Sequence, residues 1–233
     1  DFLAYINDNI LFPNHITAAN EGNAIGLAIG NYLATKKLTL VYLQNSGLGN
    51  TINPLLSLAD NSVYAIPMIL MIGWRGKPGV EDEPQHITQG LLTREILDTI
   101  KIPYLVINKD CSEQDLEKII EKASNEAIIN KHPFAILVEK GSFQNYSLRD
   151  NPLKNNLITR EDALAICIDN LNHDDIVVSS TGMLSRELYE LREKKCMGHS
   201  NDFLTVGGMG HANQIAMGIA LQKPDRNIYC FDG

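Results

Sequence analysis

Only four cysteines occur in the 233 residues: Cys111, Cys167, Cys196 and Cys230. None stands in a Cys-x-x-Cys pair. That argues against a disulfide scaffold and against a zinc module. The four read as reduced thiols of a cytoplasmic protein, mostly buried. Apolar runs of about 18 residues are also missing, so no transmembrane helix is expected. Positive charge is scarce: 20 Lys and Arg face 28 Asp and Glu, a formal net charge of −8. A nucleic-acid or anionic-membrane surface is therefore not expected as a partner. A small anionic substrate is still compatible, because a pocket can be locally positive. No signal peptide is read in the sequence as it stands, which also lacks an initiator Met. The chain starts at Asp1 in an apparent helix and stops at Gly233 directly after a candidate strand, so the intact protein is expected to be longer.

What is present is an ordinary globular composition, 44% hydrophobic and 21% charged, enough to build a core. Apolar runs alternate with helical stretches. Strands are expected at Leu38–Gln44, Ala65–Gly73, Tyr104–Asn108, Phe134–Glu139, Ile176–Ser180, Phe203–Val206 and Ile228–Phe231. Several are apolar without alternation (MILMIG, FAILVE), as in parallel strands covered on both faces. Ser112 with Asp115, and Thr159 with Asp162, resemble capping boxes ahead of helical periodicity. The alternation predicts α/β architecture with doubly wound, mainly parallel sheets. The stretch GSFQNYSLRDNPLKNNL is polar and without period. It reads as a linker over 143–157, between a unit at 1–142 and an incomplete one at 158–233.

Four segments carry candidate chemistry. In Asn20-Glu21-Gly22-Asn23-Ala24, Glu21 opens a helix. An acid there suits the helix dipole and equally suits a carboxyl held at a cleft edge. Gln44-Asn45-Ser46-Gly47-Leu48-Gly49-Asn50 follows a buried strand, and glycines there let backbone approach a ligand. A plain tight turn fits as well. It is not a dinucleotide fingerprint, because Ile52 stands where the third glycine belongs. The loop from Gly73 to His86 holds the only Trp, two cations, three carboxylates and a histidine at the carboxyl end of a strand, where such sheets bind ligands. A solvated surface loop is the alternative. Val206-Gly207-Gly208-Met209-Gly210-His211 is a glycine-rich turn with one projecting apolar residue.

Taken jointly, ANEGNA (19–24), VYLQNSGLGNTINPLLSLAD (41–60), IGWRGKPGVEDEPQH (72–86), SSTGMLSREL (179–188), GGMGHA (207–212) and CFDG (230–233) resemble the phosphonopyruvate/sulfopyruvate decarboxylase family of thiamine-diphosphate-dependent enzymes. They run along nearly the whole chain in the family's order. The resemblance implies a pyrimidine-binding module at 1–142 and a diphosphate-binding module at 158–233, both of the thiamine-diphosphate-binding fold. It implies thiamine diphosphate and Mg²⁺ as cofactors, a small anionic 2-oxo acid as substrate, and a homo-oligomer with its active site between subunits. Glu21 matches the carboxyl that bonds to the pyrimidine ring nitrogen. Gly47, Thr181, Gly182, Gly207 and Met209 match cofactor-binding positions, with Met209 as the wedge that keeps the cofactor bent. Arg75, Asp82, His86 and His211 are candidates for substrate binding. The family's metal motif begins Gly-Asp-Gly, and Gly233 matches its first glycine. The metal ligands are therefore expected beyond Gly233.

Overall fold

The computed structural model describes residues 2–149 and 158–232. The chain divides into two compact units, Asp1–Asp150 and Asn151–Gly233.

In the first unit α1 (Phe2–Asn9) and α2 (Glu21–Thr35) precede β1 (Leu40–Gln44). A short turn of 3₁₀ helix (Asn45–Gly47) leads into α3 (Leu48–Pro54). Then come β2 (Ile69–Gly73), α4 (Pro84–Thr99), β3 (Tyr104–Ile107), α5 (Glu113–Asn130) and β4 (Phe134–Val138). The four strands form one parallel sheet in the order β1-β2-β4-β3. Side chains alternate across a strand, and both faces are apolar. Leu70, Ile72 and Leu137 pack with Ile25, Leu48 and Leu97 on one face. Ile69, Met71 and Ile136 pack with Ala123 and Ala127 of α5 on the other. Each fully buried Leu or Ile contributes about 1.5–3 kcal/mol. The unbroken apolar runs in the sequence are the signature of this two-sided burial.

The second unit contains α6 (Arg160–Asp169), β5 (Ile176–Ser179), α7 (Met183–Lys194), β6 (Asp202–Leu204), α8 (Ala212–Gln222) and β7 (Ile228–Phe231). Its strands are parallel in the order β6-β5-β7. Val177 joins Leu164, Ile168, Leu184 and Leu188 on one face, and Val178 joins Ala212 and Ala216 on the other.

All seven expected strands form; two begin later than expected, four end earlier, and the sixth begins one residue earlier, at Asp202. The second begins at Ile69 rather than Ala65, because Ala65 takes a positive φ of 55° ahead of Pro67. Ser112 caps α5 in a full capping box with Asp115. Ala123 and Ala127 are the buried residues of α5, and Ile120 is 52% exposed. The thiols correct the sequence reading more clearly. Cys111 is half-buried, and Cys167, Cys196 and Cys230 are exposed, all four free. Leu164 and Ile168 occupy the buried side of α6 and turn Cys167 outward. Part of the expected linker belongs to the first unit: Phe143 packs on its core, and Tyr146 donates to Asp8 Oδ2 at 2.9 Å. Residues 150–157 lie outside the described residues. Among the described residues no helix is long and apolar enough to cross a membrane.

Candidate active site

Glu21 owes its place to Asn20. Asn20 is extended, and its side chain accepts from the Asn23 N–H at 2.9 Å, which fixes the start of α2. Glu21 is then the first helical residue, and its carboxyl lies over the turn that follows β1. Asn50 Nδ2 donates to Glu21 Oε2 at 2.9 Å. A Cβ built on Gly47 would fall inside the Glu21 carboxylate. Gly47 is therefore required as the floor on which the carboxyl rests, a different reason from the ligand approach expected of it.

The turn itself is pinned by Asn45, which is buried at 5% exposure. Its amide nitrogen donates to the Arg75 carbonyl at 2.8 Å and to Thr93 Oγ1 at 2.9 Å. Its Oδ1 accepts from the Arg75 N–H at 3.0 Å. Gln44 and Gly73 are register partners at the carboxyl ends of neighbouring strands. Asn45 thus ties the Gly47 turn to the Arg75 loop. Neither Asn45 nor Asn50 was singled out in the sequence. The available signal was a polar amide directly after a buried strand, a site where an unpaired amide is costly.

The Arg75 loop is an ordered structure. Trp74 is buried and donates its indole N–H to the Gly90 carbonyl at 2.9 Å. The Arg94 guanidinium lies 4.7 Å from its ring centroid, and Lys77 Nζ lies 6.0 Å away. Arg75 grips Asp82 with Nε at 2.7 Å and Nη2 at 2.5 Å. Asp82 also accepts from the Gly76 and Glu83 N–H groups, each at 2.8 Å. Lys77 pairs with Glu139 at 2.6 Å. Two of the loop's cations are therefore already answered by carboxylates. Among the described residues Arg75 meets Asp82 through Nε and Nη2, and Asp82 faces Arg75. His86 sits in the first turn of α4. Among the described residues its buried Nδ1 has no hydrogen-bond partner, and neither has Ser46 Oγ on the neighbouring turn.

Asp82 is held well below the usual carboxylate range, first by the Arg75 guanidinium and then by the Glu83 and Gly76 N–H groups. A folded value below the unfolded one of about 3.9 gives stabilisation that is complete above it and lost as pH falls through the folded value. Asp82→Asn is expected to cost about 1–3 kcal/mol at neutral pH. The gap in unfolding free energy between wild type and variant should stay constant down to about pH 5 and close below about pH 4. Thermal unfolding across that range tests this; a gap that widens in acid contradicts it.

In the second unit two turns among the described residues leave the carboxyl edge of the sheet. Ser185 Oγ bonds to Ser179 Oγ at 2.6 Å and donates to the carbonyls of Ser180 and Thr205 at 2.8 and 3.0 Å. Thr205 Oγ1 donates to the Ser179 carbonyl at 2.8 Å. These bonds stitch the end of β5 to the end of β6. Thr181 and Gly182 form the turn that opens α7, with Gly182 at φ 98°. Gly207, Gly208, Met209 and Gly210 form the turn after β6. Met209 is 50% exposed on it. His211 Nδ1 donates to the Met209 carbonyl at 2.9 Å and lies 3.2 Å from that of Gly208. It braces the turn and keeps only Nε2 for proton exchange. Among the described residues no three His, Cys, Asp or Glu side chains converge on a metal site.

Residues 1–100 match the family described as "Thiamine pyrophosphate enzyme, N-terminal TPP binding domain". The sulfopyruvate decarboxylase subunit alpha of Methanococcus maripaludis is 36% identical over 137 residues, covering 59% of this chain and 77% of that one. The chain belongs to the thiamine-diphosphate-dependent phosphonopyruvate/sulfopyruvate decarboxylase family. Two longer relatives extend the likeness within the family. The phosphonopyruvate decarboxylase of Streptomyces viridochromogenes is 32% identical over 234 residues, covering 94% of this chain and 56% of that protein. The sulfopyruvate decarboxylase of Methanosarcina acetivorans is 28% identical over 258 residues, covering all of this chain and 61% of that protein. The chain thus spans between half and two thirds of the length of these two.

The first unit suits the family's cofactor by its own chemistry. Glu21 offers a carboxyl with Oε2 committed to Asn50 and Oε1 uncommitted among the described residues. Beneath it lies bare glycine backbone.

Proposed function

We propose that this chain is the cofactor-binding part of a decarboxylase that converts 3-phosphonopyruvate to phosphonoacetaldehyde and CO₂, with thiamine diphosphate and Mg²⁺. The observation that carries the proposal is the Glu21 carboxyl, fixed over Gly47 with one oxygen to spare, in a chain of this family. Bound thiamine diphosphate supplies the electron sink for cleavage of the carbon–carbon bond. The protein's part is to hold it and to manage protons. Glu21 holds a proton at the pyrimidine ring nitrogen. Residues 1–142 are the pyrimidine-binding domain and 158–233 the diphosphate-binding domain. In the latter, the N–H groups of the Thr181–Gly182 turn serve the diphosphate. The Gly207 carbonyl accepts from the cofactor's amino group, and exposed Met209 is the wedge.

The substrate's anionic group is met by the outer edge of Arg75, a guanidinium geometry suited to phosphonate. Asp82 aims Arg75 rather than meeting the anion itself. His86 and His211 are the proton donors; among the described residues His86 Nδ1 has no hydrogen-bond partner, and His211 is braced through Nδ1. The working protein is a cytoplasmic homo-oligomer, at least a dimer, with the first unit of one subunit facing the second unit of another. Three exposed free thiols suit a reducing compartment. The Methanococcus relative is itself named as a subunit. Sulfopyruvate is the alternative substrate, favoured by the relatives named for it. Comparing turnover of the two by the intact protein tests the proposal. A higher kcat/KM for phosphonopyruvate is expected; equal or better turnover of sulfopyruvate overturns the substrate assignment.

A further inference from the structure

The Glu21 carboxyl has two oxygens in different situations. Asn50 Nδ2 donates to Oε2 at 2.9 Å, and an amide N–H can only donate there. Oε2 is therefore the acceptor oxygen, and a proton on the carboxyl is directed to Oε1. The carboxyl occupies the space that a Cβ on Gly47 would take, with Oε1 the atom nearest to it. Asn50 is itself held in place: α3 begins directly from the Asn45–Gly47 turn, and the buried Thr51 hydroxyl donates to the Leu48 carbonyl at 2.7 Å. The donor, Asn50, and the floor, Gly47, belong to one stretch, residues 45–51, while the acceptor, Glu21, comes from the start of α2.

We propose that Asn50 is a positioning residue that selects Oε1 of Glu21 as the oxygen carrying the transferable proton. This rests on the reading of Glu21 as the carboxyl that serves thiamine diphosphate. It makes a prediction that a packing role for Asn50 does not. Asn50→Asp keeps the shape and removes the donor. It also places a second carboxyl against Oε2, which draws any shared proton to the wrong side or repels the charge. Asn50→Ala only removes the donor. The isosteric change should therefore be the more damaging one.

The test uses the intact protein with thiamine diphosphate and Mg²⁺, and reads three quantities for wild type, Asn50→Ala and Asn50→Asp. These are the rate of hydrogen–deuterium exchange at thiazolium C2, cofactor affinity from quenching of Trp74 fluorescence, and the melting temperature without cofactor. The expected exchange rate falls about tenfold in Asn50→Ala and about a hundredfold in Asn50→Asp. Melting temperature should stay within about 2 °C of wild type and affinity within about threefold, as for an exposed side chain. Wild-type exchange in both variants overturns the proposal. So does a milder effect of Asn50→Asp than of Asn50→Ala, or an exchange loss matched by equal losses of affinity and melting temperature. Wild-type protein that binds no cofactor overturns instead the reading of Glu21 on which the proposal rests.

Discussion

Glu21→Gln is expected to lower kcat roughly 10²- to 10⁴-fold, the usual yield of a positioned acid–base group, with fold and cofactor affinity intact. The substitution changes almost nothing in shape. Glutamine fills the same space over Gly47, and its carbonyl oxygen can still accept from Asn50 Nδ2. What it cannot do is take up and release a proton at the ring nitrogen of the cofactor. Glu21 is also the first residue of α2, where a negative charge is worth about 0.3–1 kcal/mol to the helix. A purely structural Glu21 would therefore lose only that much stability and leave turnover nearly unchanged. Steady-state kinetics with a melting curve separate the two. A variant with half of wild-type kcat and a lower melting temperature would return Glu21 to the role of helix-start acid.

The largest effect on stability is expected from Gly90→Ala. In an exposed helix that change gains about 1 kcal/mol from helix propensity. Gly90, however, is buried in α4 against the Gly76 peptide. A Cβ there would collide with the Gly76 carbonyl group, which is backbone and cannot swing aside. Gly76 has its own constraint, a φ of 65° and contact with the His86 backbone. The collision reaches the Trp74 indole as well, because Gly90 is the acceptor of its N–H. A net loss of about 3 kcal/mol or more is expected. That corresponds to a fall of about 6–12 °C in melting temperature, with a red shift in the fluorescence of the only tryptophan. Gly218→Ala is the contrast. It lies in α8 with nothing near its absent Cβ, and should be neutral or stabilising by up to about 1 kcal/mol. Equal responses of the two variants would contradict this account of the loop.

The strands were legible because two-sided burial leaves a plain trace: ILMIG and FAILV are apolar at every position. The caps were legible because Ser112 and Asp115 carry their partners' spacing in the sequence. Glu21 and Gly47 could be found as separate residues, but not as a contact, since nothing local says that one side chain rests on the other's backbone. The Arg75 loop was legible in content and not in wiring. Its charges suggested a reactive surface, whereas the fold spends Arg75 on Asp82 and Lys77 on Glu139. Asn45 and Asn50 escaped notice because an amide's importance depends on partners 29 to 48 residues away. The cysteines differ from expectation because burial is a tendency of the residue type, while Cys167 is exposed because Leu164 and Ile168 occupy the buried side of α6.

The central claim is that a carboxyl resting on glycine backbone at the start of α2 serves thiamine diphosphate. Calorimetric titration of the intact protein with thiamine diphosphate in Mg²⁺, beside a parallel titration with NAD, tests it most directly. Saturable binding of the thiamine cofactor and none of NAD is the predicted result. Binding of NAD, or no binding of thiamine diphosphate, would contradict the account.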